Sequence, residues 1–379
     1  MSEKGVSKGK GPLKSAEKGG GGDFALMAMV LALSLFGMVM IYSASNYSAQ
    51  REYGDPFLFV KKQLPGFSLG VLLMLFLWRY PYRKLARFRY VFLAVSLICL
   101  CLVFVPGIGI ETFGSKRWIG FSAVSFQPSE IAKFAFILFS AYYMAENRER
   151  MRTLKGILPV ILAGGVICLL IILEPNMSIT VCVGLLMLGM LFVGGCRLKH
   201  FAIIMVPALA LIPILIIIEP YRLMRLSAFL DPWSSPRNEG YQLIQSLYGL
   251  GGGGLFGVGL FNSRQKFDFL PFSESDFIFS IIGEELGLFG CLLLICAFIF
   301  YIYRGIKIAV NADTLFGCYL ASGITMIVAI QVIINIAVVT GSIPPTGLPL
   351  PFISYGGSSL MVFMGASGVL LNISRRDSL

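Results

Sequence analysis

Charge is scarce in this chain. Only 13% of its 379 residues are Asp, Glu, Lys or Arg, against 56% apolar residues. Soluble domains average about 25% charged residues, so an ordinary soluble domain is excluded. Histidine is scarcer still, with His200 alone, and neither histidine-based catalysis nor a histidine metal cluster is expected. No glycine run is followed by Gly-Lys-Ser/Thr, which argues against a nucleotide P-loop. The eight cysteines (Cys99, Cys101, Cys168, Cys182, Cys196, Cys291, Cys296, Cys318) lie in or beside apolar runs, and no pair has metal-ligand context. They read as small apolar packing residues.

What the chain does have is long apolar runs. A membrane-spanning helix needs about 20 mostly apolar residues. Such runs fall near residues 24–45, 63–78, 90–106, 127–145, 156–173, 178–195, 200–218, 277–303, 314–340 and 358–373. The expected fold is therefore all-α: a polytopic integral membrane protein with about ten transmembrane helices over 24–374. The first run is too long for a signal-peptide core and lacks a small-residue cleavage site, so it reads as a retained span. Residues 1–23 are rich in Gly and Lys and read as a disordered cytoplasmic tail, with 375–379 as the cytoplasmic C-terminal end.

Lys and Arg set the orientation. With a cytoplasmic N-terminus, 20 of them fall on the inner side and 10 on the outer, and Lys133 lies within a span. Both termini are expected inside. Arg79, Arg83, Lys84, Arg87 and Arg89 form one inner loop, and Arg148, Arg150, Arg152 and Lys155 another. Both abut spans, so they read as topology signals with some attraction for anionic lipid rather than as a nucleic-acid patch.

One outer segment, 219–275 between helices 7 and 8, is too long for a plain connection. Tyr241, Ile244, Leu247 and Tyr248 recur at helical spacing, which predicts a short amphipathic helix at the interface. In the following run, Gly249 to Gly259, seven of eleven residues are Gly. It reads either as a flexible connector or as backbone that approaches an anionic head group, with Arg264 and Lys266 supplying charge. A second outer segment, Pro344 to Ser359, carries four prolines and three glycines. It is either a tight turn or the wall of a cavity.

Ionisable groups at membrane depth are candidates for function because they are costly there. Glu130 and Lys133, three apart on the helix opened by Pro128, share one face. They form an internal ion pair or face substrate, and Arg117 and Trp118 precede them in the outer loop. Asp276 stands where the long loop enters the eighth span. Ser273 and Asp276 fit a capping box, yet a carboxylate there, with Glu274 raising its pKa, also suits a general base. Glu284 and Glu285, about two turns deeper, read as structural.

Several runs, taken in order, resemble the SEDS family (shape, elongation, division and sporulation). They are Gly114-Ser-Lys-Arg-Trp-Ile-Gly, Gln127-Pro-Ser-Glu, Gly240-Tyr-Gln-Leu-Ile-Gln-Ser-Leu, Ser263-Arg-Gln-Lys, Phe269-Leu-Pro, Asp276-Phe-Ile-Phe, Gly283-Glu-Glu-Leu-Gly and Leu350-Pro-Phe-Ile-Ser-Tyr-Gly-Gly-Ser-Ser. Gln245-Ser-Leu and Ser263-Arg-Gln-Lys are closer to the FtsW/SpoVE-like branch than to RodA. Two departures stand out: Glu274-Ser275 replaces a frequent His-Thr, and Glu174-Pro-Asn-Met-Ser replaces a frequent Gln-Pro-Asp-Leu-Gly.

The resemblance implies a peptidoglycan glycosyltransferase that polymerises lipid II at the outer face of the bacterial cytoplasmic membrane. Its implied partners are a class B penicillin-binding transpeptidase and other divisome or sporulation-septum proteins, with the nascent glycan strand as product. It carries the catalytic role to Asp276 and substrate roles to Arg117, Glu130, Lys133 and Lys266, with Arg264 and Ser358 in the same motifs. A base, cationic groups for a diphosphate and a groove for a polyprenyl tail are what this chemistry requires. A divalent cation such as Mg2+ could bridge the diphosphate, although the sequence shows no dedicated cage. The alternatives are a lipid II flippase, which would also place charges within spans, and a non-enzymatic septal scaffold.

Overall fold

The computed structural model describes residues 22–112, 115–121, 124–218 and 220–375. Most of the expected N-terminal tail, residues 376–379 of the C-terminal end, and Gly114 lie outside the described residues. The helices, in chain order, are α1 (Phe24–Tyr53), α2 (Leu58–Arg79), α3 (Tyr82–Leu85), α4 (Arg89–Leu102), α5 (Pro128–Glu146), α6 (Leu154–Leu173), α7 (Met177–Val193) and α8 (Leu198–Ile218). They continue with α9 (Pro220–Leu230), α10 (Tyr241–Gly252), α11 (Ile278–Val310), α12 (Leu315–Val339) and α13 (Gly357–Ser374).

Among the described residues, seven helical stretches are long and apolar enough to cross a membrane: α1, α2, the run Tyr82–Leu102, α6, α11, α12 and α13. The other three expected spans coincide with α5, which carries Glu130 and Lys133, with α7, which has 17 residues, and with α8. The surface is apolar where a soluble protein would be polar. Leu69, Leu72 and Phe76 on α2, Val95 and Ile98 on α4, and Leu162 and Leu169 on α6 all face outward. Apolar area on this scale needs a bilayer to cover it.

Helices approach closely where side chains are small. A Cβ on Gly66 of α2 would lie 2.5 Å from the Cα of Gly357 at the start of α13. Helices α6 and α7 form a hairpin around Glu174, Pro175 and Asn176, with the Cys168 thiol near the Thr180 carbonyl across it. Asn176 caps α7 through the Ile179 amide at 3.3 Å.

An all-helical expectation misses one feature. Between α4 and α5 lies a small antiparallel sheet of β1 (Gly109–Thr112), β2 (Ser115–Phe121) and β3 (Val124–Phe126), in the order β1-β2-β3. It puts Arg117 and Trp118 on a strand rather than an open loop.

The long segment is ordered around α9 and α10, and α10 covers the expected amphipathic helix. Its residues divide by exposure. Leu243, Ile244, Ser246 and Gly249 point inward, whereas Leu247 and Tyr248 are exposed. Ser246 Oγ lies 2.6 Å from Ser280 Oγ and donates to the Val339 carbonyl at 2.7 Å, so a polar contact sets the face.

The glycine run, which begins within α10, is not a free connector. Helix α11 is interrupted at Gly287, which has φ 67° and ψ −167°. The break frees backbone groups at membrane depth, where each must find a partner. The glycine run supplies them. Val258 and Gly259 amides donate to the Glu284 and Glu285 carbonyls at 3.0 Å each, and Leu288 and Phe289 amides donate to the Gly254 and Leu255 carbonyls at 2.9 and 3.1 Å. A Cβ on Gly257 would lie 2.1 Å from the Glu285 carbonyl oxygen, so only glycine allows this splice.

Candidate functional site

Asp276 lies two residues before α11, and the capping reading does not hold. The N-cap is Phe277, without a side-chain cap bond. Ser273 Oγ donates to the Ala44 carbonyl at 3.2 Å on α1 instead of serving the α11 amides. Among the described residues no hydrogen bond reaches the Asp276 carboxylate, which is partly open to solvent.

The chain into α11 is pinned by the second outer segment and by α12. The carbonyls of Glu274, Ser275 and Asp276 accept in turn from the Tyr355 amide at 2.9 Å, Ser354 Oγ at 2.6 Å and Asn335 Nδ2 at 2.8 Å. That segment is inserted into the protein, with Leu348, Leu350, Phe352 and Ile353 buried. A Cβ on Gly347 would come within 3.0 Å of Asp276 Oδ2, so this backbone is the wall facing the carboxylate. Pro344 to Ser359 is therefore packed into the protein beside Asp276 rather than forming a plain surface turn.

Burial raises the Asp276 carboxyl to about 7, Glu274 adds to the rise, and Arg225 and Arg117 oppose it. Burial also raises Glu274. Arg117, on β2, donates through Nη2 to the Pro175 carbonyl at 2.6 Å and through Nε to that of Glu174 at 3.4 Å. Arg225, on α9, donates to the Pro345 carbonyl at 3.4 Å. Arg225 was not singled out from the sequence, although a cation on a helix within the long outer segment was the available signal. Glu174 is buried with both carboxylate oxygens unpartnered, and burial raises it to about 8 against the pull of Arg117.

Glu130 and Lys133 form a second cluster. Lys133 Nζ lies 2.8 Å from Glu130 Oε1, with side-chain exposures of 0% and 1%. Lys133 also donates to Gln331 Oε1 at 3.2 Å, and Ser359 Oγ donates to Glu130 Oε2 at 2.9 Å. The pair is closed, tying α5 to α12 and α13. Ser358, next to Ser359, has a buried hydroxyl without a partner.

A third cluster holds the loop 263–266 on α11. Glu284 accepts from Ser263 Oγ and from the amides of Arg264 at 2.9 Å and Gln265 at 3.3 Å. Glu285 accepts from Ser43 Oγ at 2.6 Å and the Ser263 amide at 3.2 Å. Both glutamates are thus structural, as their depth suggested. Lys266 is buried and its ammonium donates to the Phe261 carbonyl. Burial lowers its pKa, with Glu285 and Glu284 opposing. Arg264 is exposed.

The expected site residues therefore fall into three groups. Asp276 and Arg117 are brought together, with Arg225 added. Glu130, Lys133 and the Ser358-Ser359 pair meet at the heads of α5 and α13. Arg264 and Lys266 lie on the Glu284–Glu285 loop. Among the described residues, no three His, Cys, Asp or Glu side chains are grouped to hold a metal ion.

The family described as "Cell cycle protein", grouping FtsW, RodA and SpoVE, matches residues 24–379. Stage V sporulation protein E of Bacillus subtilis is 42% identical over 355 residues, covering 93% of this chain and 97% of that one. The probable peptidoglycan glycosyltransferase FtsW of Geobacter metallireducens is 39% identical over 355 residues, covering 93% and 95%. A chain from a solved peptidoglycan synthase complex, described as coordinating polymerization and crosslinking, aligns with a TM-score of 0.77 at 28% identity, covering 93% and 98%. On its length of match and its identity to these relatives, this chain belongs to the FtsW, RodA and SpoVE family of cell cycle proteins.

Proposed function

We propose that the protein is a peptidoglycan glycosyltransferase that polymerises lipid II into glycan strands during septal wall synthesis, in division or sporulation. It crosses the bacterial cytoplasmic membrane ten times with both termini cytoplasmic, which places Asp276 at the outer face. The observation that carries this reading is the Asp276 carboxylate itself. It is partly accessible, takes no hydrogen bond from the described residues, and is raised to about 7 beside two arginines. A general base works best with a pKa near the operating pH.

In this mechanism Asp276 accepts the proton of the GlcNAc 4-hydroxyl as that oxygen attacks the MurNAc anomeric carbon of the donor. The configuration inverts and undecaprenyl diphosphate departs. Arg117 and Arg225 offset the charge on the diphosphate. Arg264 is exposed and available to substrate, whereas the polar groups of Lys133, Glu130, Lys266 and Ser358 are buried and reach substrate only if their surroundings open. A divalent cation such as Mg2+ would be held chiefly by the diphosphate, since no cluster of carboxylates suited to a metal lies among the described residues. A class B transpeptidase partner, with other septal proteins, fits the likeness to a synthase complex.

The test is to incubate the purified chain, alone and with its transpeptidase, with lipid II and resolve the products. Polymeric strands support the reading. Unreacted lipid II in both mixtures would leave the scaffold and flippase readings.

A further inference from the structure

Asn335 lies on α12 at 1% exposure, among apolar neighbours. Its amide nitrogen donates to the Asp276 carbonyl at 2.8 Å and to the Leu348 carbonyl at 2.8 Å. Its Oδ1 has no partner. The orientation is forced, because rotating the amide would set its oxygen against two carbonyl oxygens.

The two acceptors lie on the two segments that meet at the carboxylate. One is the main chain of Asp276. The other follows Gly347, whose Cα faces Asp276 Oδ2. One side chain thus sets both the carboxylate and its facing wall. One turn earlier on the same face, Gln331 accepts from Lys133, so α12 ties the Asp276 cluster to the buried ion pair.

We infer that Asn335 is a positioning residue that holds Asp276 and the Gly347 wall in one fixed relation. The inference rests on the role of Asp276 proposed above. Without Asn335, the last of the three carbonyl bonds before α11 is gone and Leu348 is released at the same time. The carboxylate then moves relative to the acceptor hydroxyl and gains water. Misplacement of a reacting group by about 1 Å can cost about 10²-fold in rate.

The experiment uses the full chain with its transpeptidase and compares Asn335→Ala, Gly347→Ala and Asp276→Asn with the wild type. Turnover per folded molecule, KM for lipid II and the acid limb of the pH–rate profile are measured. For Asn335→Ala, turnover should fall at least about 10-fold, KM should stay within about twofold, and the acid limb should move to lower pH as Asp276 gains water. A purely structural role would reduce folded protein and leave the rate per folded molecule and the limb unchanged, which overturns the inference. If Asn335→Ala does not fold, Gly347→Ala decides, because its Cβ presses on the carboxylate and leaves the Asn335 bonds intact. Wild-type turnover and limb in Gly347→Ala overturn the inference. Asp276→Asn separates the two claims. An inactive Asp276→Asn beside an unaffected Asn335→Ala overturns only this inference, whereas an active Asp276→Asn removes the base reading and this inference with it.

Discussion

The Lys133 ammonium lies 2.8 Å from the Glu130 carboxylate, and neither side chain is open to solvent. Removing one partner of a buried pair leaves an uncompensated charge, at a cost of about 3–5 kcal/mol, whereas replacing both with neutral groups can be tolerated. Lys133→Ala should therefore lose most folded protein, and the double variant Glu130→Gln/Lys133→Met should regain it. Thermal unfolding in detergent checks this. A Lys133→Ala protein with wild-type stability would mean that Glu130 is solvated or paired elsewhere.

The splice across Gly287 makes the glycines of its loop unequal. Gly257, at φ 80°, would place a Cβ 2.1 Å from the Glu285 carbonyl, so Gly257→Ala should unfold the region or abolish expression. Gly252 closes α10 with open space around it. Gly252→Ala should be neutral or stabilise by about 0.4–1 kcal/mol. Equal tolerance at both positions would contradict the splice.

The raised Asp276 carboxyl gives two pH dependences of opposite sign. Polymerisation should rise with pH through about 7 as the base ionises. Stability should move the other way. The native state holds this proton at pH values where the unfolded chain has released it, so stability falls as pH rises from about 4 to about 7. Asp276→Asn removes that slope and should unfold at a higher temperature than wild type at pH 8, with little difference near pH 4. A lower unfolding temperature at pH 8 would show that the ionised carboxylate is stabilised by its surroundings.

Much of this architecture was legible in the sequence because hydropathy over about 20 residues survives any tertiary context. Asp276 was legible too, as a charge at the end of an apolar run. The local pattern misled where a distant partner outcompeted a near one. Ser273 has the spacing of a capping box, yet its hydroxyl bonds Ala44, 229 residues away. In α10 the apolar spacing marked a helix at the interface, where Leu247 and Tyr248 are exposed, but it did not show that Ser246 takes the inward position. β1 and β3 are too short to show a period, and the seven residues of β2 do not alternate apolar with polar. Asn335 was missed as a neutral amide in an apolar helix, although Gln331 and Asn335, four apart, marked a polar face there.

The proposed orientation rests on the excess of Lys and Arg in the segments assigned to the inner side. In a background without native cysteines, Ser235→Cys should react with a membrane-impermeant thiol reagent in intact cells, and Thr153→Cys should react only after lysis. The reverse pattern would put Asp276 on the cytoplasmic side and remove lipid II polymerisation at the outer face.

The most direct test concerns the Asp276 carboxylate. Its side chain caps nothing, so Asp276→Asn should leave the fold and transpeptidase binding intact. An amide cannot accept the hydroxyl proton, and general-base contributions are typically about 10²- to 10⁴-fold. The measurement is the rate of glycan synthesis from lipid II by purified Asp276→Asn with its transpeptidase present. The account predicts a fall of at least about 10²-fold, with stability near neutral pH or above it no lower than that of the wild type. Synthesis near the wild-type rate would contradict it and place the base elsewhere.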